Sequence, residues 1–491
     1  VTTLDGRSKV VFRTDHYGGV RPVGWTPNGT TLVAVVGRPD NTWAVGTLPA
    51  SGGPFTPLRS FGWANPDPRL SPDGRFIAYH EGDQGTRDVH VVSLDGRHEY
   101  RITNDPPDDF APIWSPDGRH LAFKSNRLGS VSMWAVEMKD GQPAGQPMKL
   151  KDGMQSAQLI EWTERGIVYA DFWRTSDLYT VPMDPVERRP TGSPSLIAYW
   201  RTGRNVNPAW SPDGGRLAFV SSAAAEPNRR FVVVIPAGGG QAREFLIPTT
   251  SSLNQDLRWF GNGRGLGLSG RDTRGAPTVF RLLVDTGEWS TIQYSDREGI
   301  PTSTEWNHDG SAFYFVRRDS GDQRGIFERA VNGDAARLVY RMASGRTIGA
   351  LQFSPERKWL AFREATLEAN SLPTRILIVD VATGETRTLV EPVPGSNGPN
   401  LVAWVPPGDL LIQKRSGTTL ETLLVPVDGG SPRSFAIPSV SPSSPEDTSR
   451  ELVAKWSPDG RTMVLRRESR GGDTFVIENP LAAVRATTAS R

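Results

Sequence analysis

Five residues, Trp114-Ser115-Pro116-Asp117-Gly118, return along the chain at a nearly constant interval, and this limits the fold more than any other feature. Full copies stand at Trp210-Ser211-Pro212-Asp213-Gly214 and Trp456-Ser457-Pro458-Asp459-Gly460. Leu70-Ser71-Pro72-Asp73-Gly74 lacks only the aromatic. Trp25-Thr26-Pro27-Asn28-Gly29 and Trp306-Asn307-His308-Asp309-Gly310 are one step further away, and residues 162–166, 259–263, 353–357 and 404–408 are decayed copies. The ten anchors are 44 to 52 residues apart.

The stretch has the chemistry of a hairpin turn. The Ser or Asn side chain bonds back onto the turn, Pro pre-sets φ, and Asp tolerates the third position. Gly takes the left-handed conformation that closes a three-residue loop with a bulge. Continuous apolar runs follow: Ile77-Ala78-Tyr79, Leu121-Ala122-Phe123, Leu217-Ala218-Phe219 and Leu360-Ala361-Phe362. Such runs are strands covered on both faces. A further strand and a second turn of the Asp-Gly, Gly-Gly or Thr-Gly kind complete each unit, as at Asp95-Gly96, Gly238-Gly239-Gly240 and Thr383-Gly384. Four antiparallel strands per repeat, with no helical period between them, predict an all-β chain of β-propeller blades.

The ends of the chain carry a count. Nine units have a fourth strand; the tenth stops near Pro480 without one, and residues 8–14 form a surplus strand at the front. The expectation is one ten-bladed ring over residues 1–480, in which residues 1–14 complete the last blade by pairing with residues 474–478, and a tail over 481–491. Closure of this kind removes an open sheet edge. Two smaller tandem propellers are the alternative.

With these residues in hand, Trp-Ser-Pro-Asp-Gly followed by an apolar strand resembles the bacterial WD-like propeller repeat of the TolB and Tricorn type. The resemblance covers essentially the whole chain. It implies a propeller, and it implies little about function, because the motif residues are structural.

Composition narrows the classes. Hydrophobic residues are 37% of the 491, and mean hydropathy is −0.41, as in a soluble protein. No apolar run approaches the roughly 18 residues of a membrane helix, so no membrane span is expected. A formal charge of +2 gives no argument for nucleic acid. The absence of Cys removes disulfides, thiolate metal sites and a Cys nucleophile. No signal peptide is recognised, and the chain opens at Val1 inside a strand-like stretch, so an upstream segment is expected to belong to the full protein.

The search for chemistry returns no catalytic residue, no metal set and no cofactor. The six histidines lack metal-ligand spacing, and Gly267-Leu268-Ser269-Gly270-Arg271 fails as a nucleophile elbow at its last position. Asp105-Pro106-Pro107-Asp108-Asp109 has acidic residues but reads as an exposed loop. What remains is the rim. In a propeller the loops after the second and fourth strands of each blade share one face. The first set holds Arg127, Arg174, Arg271, Arg317, Arg318, Arg466 and Arg467; the second holds Tyr17, Trp63, Asn65, Asp108, Asn205 and Asn207. Aromatic, Asn and Arg side chains together suit a protein-binding surface, while a solvated, locally paired rim is the plainer reading. The function expected is a non-catalytic platform for a protein partner, periplasmic or extracellular in a bacterium, serving as the sensor or docking module of a longer protein. A propeller hydrolase or lyase, the substrate-gating half of a peptidase, and a structural subunit of a larger assembly stay open.

Overall fold

The computed structural model describes residues 10–12, 19–38, 42–62, 66–82, 85–197, 203–223, 229–249, 253–273, 276–293, 304–317, 324–333, 335–366, 373–392, 398–416, 419–438 and 453–481. Every regular element among them is a strand. The repeat folds as read. The turn after Trp114 is held by its own side chains: Ser115 Oγ donates to Asp117 Oδ1 (2.6 Å) and accepts from the His120 N–H (2.8 Å), and the same Asp117 oxygen accepts from the Arg119 N–H (3.0 Å). The same bonds recur at Ser71 and Asp73, Ser211 and Asp213, and Ser457 and Asp459. Gly118, Gly214 and Gly460 have φ of 68°, 71° and 71°, the left-handed region that a residue with a Cβ enters only under strain. The apolar runs are covered on both faces: Leu121, Ala122 and Phe123 are each fully buried.

Most strands pair into antiparallel four-stranded sheets, as in residues 253–293 and 346–390. The innermost strand of most sheets carries a register shift a few residues before its aromatic, for example between Val206 and Ala209 and between Gly349 and Gln352. At this place Asp67, Ala111, Asn207 and Ala350 adopt positive φ although none is glycine. The bulge turns the next carbonyls out of the ladder, and at Ala209 and Gln352 the neighbouring sheet uses them. Trp114 Nε1 donates to Arg69 O (3.2 Å), Trp259 to Ala209 O (2.9 Å), Trp404 to Gln352 O (2.9 Å) and Trp210 to Lys455 O (3.2 Å). Each acceptor is the residue before the first position of the motif in the adjoining sheet, an aromatic in three cases and Leu70 in the fourth. Trp306 is completely buried and lies on Gly267, where any Cβ would collide with the indole.

The packing does not confirm the single ring of ten blades expected from the count. The chain divides into two compact units: Val1–Trp173 with Thr273–Ala276 and Arg470–Arg491, and Arg174–Asp272 with Pro277–Ser469. Two long strands, Gly166–Pro182 and Thr462–Glu478, carry the chain from the first unit to the second and back. The first unit holds the sheets of residues 19–61, 69–101 and 109–151. It also holds Ala157–Thr163, which pairs with the start of Gly166–Pro182, and the end of Thr462–Glu478, whose Ile477 carbonyl lies against Gly166. In the second unit six inner strands neighbour one another in a cycle: Gly203–Trp210, Leu253–Trp259, Thr304–Trp306, Arg346–Phe353, Asn400–Val405, Ala454–Trp456, and back to the first. Met183 N–H donates to Arg461 O (2.8 Å), joining the second-unit parts of the two crossing strands. The core follows the same division. One cluster packs Leu178, Phe219, Val233 and Val464 together in the second unit; another packs Ile113, Leu159, Ile167 and Tyr169 in the first, with Ile477 against it.

Most of the pairing expected between residues 8–14 and 474–478 lies outside the described residues. Val10, Val11 and Phe12 are described and form no strand, and Phe12 packs on the buried side chains Leu32, Ala34, Val36 and Phe55 of the first sheet.

Two outcomes follow from these contacts. Trp306→Ala leaves a core cavity and is expected to cost about 3–5 kcal/mol in urea unfolding, whereas Trp259→Phe, which keeps most of the ring and loses the indole bond, costs about 1 kcal/mol. The turn aspartates give the second. Asp213 and Asp459 lie below the ordinary 3.8, first through the hydroxyl bonds from Ser211 and Ser457 and then through the amides of Gly215 and Arg461. A depressed folded value means that their stabilisation is complete above about pH 4 and is lost as pH falls through the folded values. Asp213→Asn and Asp459→Asn together should flatten the decline of melting temperature between pH 4 and pH 2.

Candidate binding surfaces

The rim residues read from the sequence do not converge on one site. Asp108 and Arg127 belong to the first unit, and Asn205, Asn207, Arg271, Arg317, Arg466 and Arg467 to the second. Tyr17, Trp63, Asn65 and Arg318 lie outside the described residues, as does the side chain of Arg174.

In the first unit two neighbouring carboxylates each hold an arginine. Arg87 reaches both oxygens of Asp108, Nε at 2.8 Å and Nη2 at 2.6 Å, and its guanidinium sits 4.0 Å from the Phe110 ring centre. Arg127 Nη2 donates to both oxygens of Asp109 (3.1 and 2.9 Å) and Nε to Ser125 Oγ (2.9 Å), with its guanidinium 4.8 Å over Trp134. Both forks are largely buried, so Arg127 and Asp108 are positioned by their own pairs. In the second unit Asn205 is buried and its carbonyl accepts from Ser176 Oγ (3.0 Å). Asn207 is one of the left-handed bulge residues. Arg271 is half-buried, and burial holds its guanidinium below the ordinary value. Arg317 lies 5.5 Å over Phe327, Arg466 stands 3.5 Å from Glu468, and Arg467 is half-buried.

Polar side chains also reach from second strands toward the next inner strand. His80 Nδ1 accepts from the Ala111 N–H (3.4 Å); burial first, and then Arg87, lowers it to about 4, so it stays neutral at physiological pH. Lys124 Nζ donates to Ala157 O (2.8 Å) and Gln155 O (3.4 Å), and burial lowers it to about 8. These two are cross-links between sheets.

One cluster was not anticipated. Ligand atoms of Glu81, His90 and Glu99 lie within 4.8 Å of one another on the sheet of residues 69–101, the only such group among the described residues. Arg59 enters it from the adjoining sheet, with Nη2 2.9 Å from Glu81 and Nε 3.5 Å from Glu99, and the Tyr79 hydroxyl bonds Glu99. The guanidinium takes the position a metal cation would need, and burial lowers His90; the donor set reads as an ion-pair network. Its sequence signal is the hairpin register, which sets Tyr79 opposite His90. Each unit also has an axial cavity lined by its inner strands, about 600 Å³ in the first and 200 Å³ in the second. No helix among the described residues is long and apolar enough to cross a membrane.

Residues 5–171 match the TolB beta propeller domain. Among curated proteins, a Protein TolB homolog of Chlorobium luteolum is 27% identical over 179 residues, 36% of this chain and 37% of that one. Dipeptidyl-peptidase 5 of Porphyromonas gingivalis is 36% identical over 70 residues, 13% and 10% of the two chains. The Tol-Pal system protein TolB of Alcanivorax borkumensis is 40% identical over 63 residues, 13% and 14%. The chain thus matches well under half the length of each of these relatives. The turn bonds, the bulged inner strands and the match agree over residues 5–171: this part of the chain is similar to the TolB beta propeller domain.

Proposed function

We propose that this protein is a non-catalytic platform for protein partners in the bacterial envelope, acting as a docking module of a longer protein. The observation that carries the reading is the similarity of its repeats to TolB proteins, one of them named for the Tol-Pal system. The architecture supports it, since a repeated scaffold with short, uniform turns on one side leaves the variable loops to do the recognising. The stretch shared with the dipeptidyl-peptidase is 70 residues, 10% of that enzyme, and carries no argument for catalysis here. The rim arginines Arg317, Arg318, Arg466 and Arg467 are the contacts proposed for the partner. Tagged protein incubated with bacterial envelope extract should retain a specific partner, and changing these four to Glu should reduce its capture by tenfold or more while the melting temperature changes little. Equal capture by the reversed variant would move the surface elsewhere.

The blade count belongs to the same proposal. The second unit is read as a closed ring of six blades. The first is read as four, the last built from Ala157–Thr163, the start of Gly166–Pro182, the end of Thr462–Glu478 and, as outer strand, residues 8–14. Support comes from Phe475 and Val476, which are 40% and 51% exposed, and from Phe12 seated on the first sheet. Deleting residues 1–14 should lower the melting temperature by several degrees, whereas deleting residues 482–491 leaves it unchanged; equal melting of both truncations would remove the closure.

A further inference from the structure

The turn of the sheet at residues 346–390 departs from the repeat at one position. Where Gly118, Gly214 and Gly460 stand, it has Arg357. The backbone has not changed to suit: Arg357 has φ 58°. A residue with a Cβ persists there only when its surroundings hold it, and the side chain shows what does. It runs across the face of the second unit, Nη2 donating to Trp259 O (3.1 Å) and Nη1 to Trp306 O, carbonyls at the same repeat position in two other sheets. A second departure opens its route. Gly261 occupies the place of Pro116, Pro212 and Pro458, and a Cβ at Gly261 would lie 2.7 Å from Arg357 Nε, 2.9 Å from its Cδ and 2.8 Å from the backbone of His308. The two departures, almost a hundred residues apart, fit each other.

The guanidinium borders the axial cavity of the second unit. The residue before each inner-strand aromatic also lines it: Ala209, Arg258, Glu305, Gln352, Ala403 and Lys455. The two alanines leave space, and the other four form a polar arc. Arg258 Nε donates to Glu305 Oε1 (2.5 Å), so the one carboxylate of the lining is already matched by a guanidinium. Gln352 Nε2 donates to Val402 O (3.0 Å), and its Oε1 lies 3.4 Å from Lys455 Nζ. The lining therefore carries three cations and one carboxylate, walled by Trp210, Trp259, Trp404 and Trp456.

We propose that this cavity is a binding site for a carboxylate-bearing ligand, held by Arg357 and Lys455 against the tryptophan wall. Two guanidinium donors of Arg357 are engaged with backbone carbonyls, which fix its plane and leave others for an acceptor. A guanidinium so fixed loses little freedom on binding an oxyanion. At about 200 Å³ the cavity admits a small acid or the end of a chain, and is below the usual range for larger ligands. The site stands apart from the rim contacts proposed above and does not depend on them.

The test uses the full chain and calorimetric titration at constant ionic strength. The probes are succinate, acetyl-trialanine with a free carboxylate, and the same peptide as its amide. Arg357→Gly restores the glycine of the repeat and relieves the left-handed backbone, so loss of binding in this variant is not loss of the fold; Lys455→Met removes the second cation. Saturable binding of succinate or of the peptide acid is expected, none of the amide, with affinity falling at least tenfold in each variant. Binding of succinate alone assigns the site to a free acid, and binding of the peptide acid alone to a chain end. Binding of neither acid, an equal heat from sodium chloride, or undiminished affinity in Arg357→Gly would overturn the proposal.

Discussion

An indole N–H reaching to the backbone of the adjoining sheet is the contact on which the remaining organisation rests. Within a sheet the strands satisfy one another, and between sheets most of the packed core side chains are apolar. Apolar contact is strong but has no direction, so it does not by itself fix the height at which one sheet meets the next. The bonds from Trp114, Trp210, Trp259 and Trp404 do, because each has a single acceptor. Each is worth only about 1 kcal/mol net, yet it sits on a buried ring whose removal costs several times more. The strained residues Ala111, Asn207 and Ala350 sit at the inner-strand bulges, and the carbonyls that follow Asn207 and Ala350 accept two of these bonds.

A repeated structure makes its exceptions informative. Trp306 does not follow the indole pattern; it fills a space cleared by Gly267 in the neighbouring sheet. Arg357 does not follow the turn pattern, and Gly261 clears its path. In both cases a large side chain from elsewhere lies against the place of the missing Cβ, joined at Gly261 by the backbone of His308. The first exception adds core. The second places a cation at the border of the second unit's cavity.

The candidate surface was legible only in its residue types. That the loops after second strands are rich in arginine can be read directly. That Arg127 is committed to Asp109 and Arg87 to Asp108 cannot, because the partners lie 18 and 21 residues apart and meet only once the sheets are in register. The cluster of Glu81, His90 and Glu99 was half legible: the hairpin register puts these residues on one sheet, but Arg59, which decides their chemistry, enters from another.

The sequence by itself determined most strands, the turn conformations and, apart from the two crossing strands, the grouping of strands into sheets, since these are contacts within about fifty residues and each has its own local signal. It also indicated the buried aromatic at the end of each inner strand. Only the tertiary structure decided which sheets stand together. Ten similar motifs carry no address, and nothing in Trp210 says that its acceptor is Lys455, 245 residues on, in place of the sheet just before it in sequence. The chain divides in two because Gly166–Pro182 and Thr462–Glu478 each run on past the length of one sheet. A strand's continuity is visible in its residues, but the sheet it joins at each end is set by long-range pairing, whose cost and gain no local pattern records.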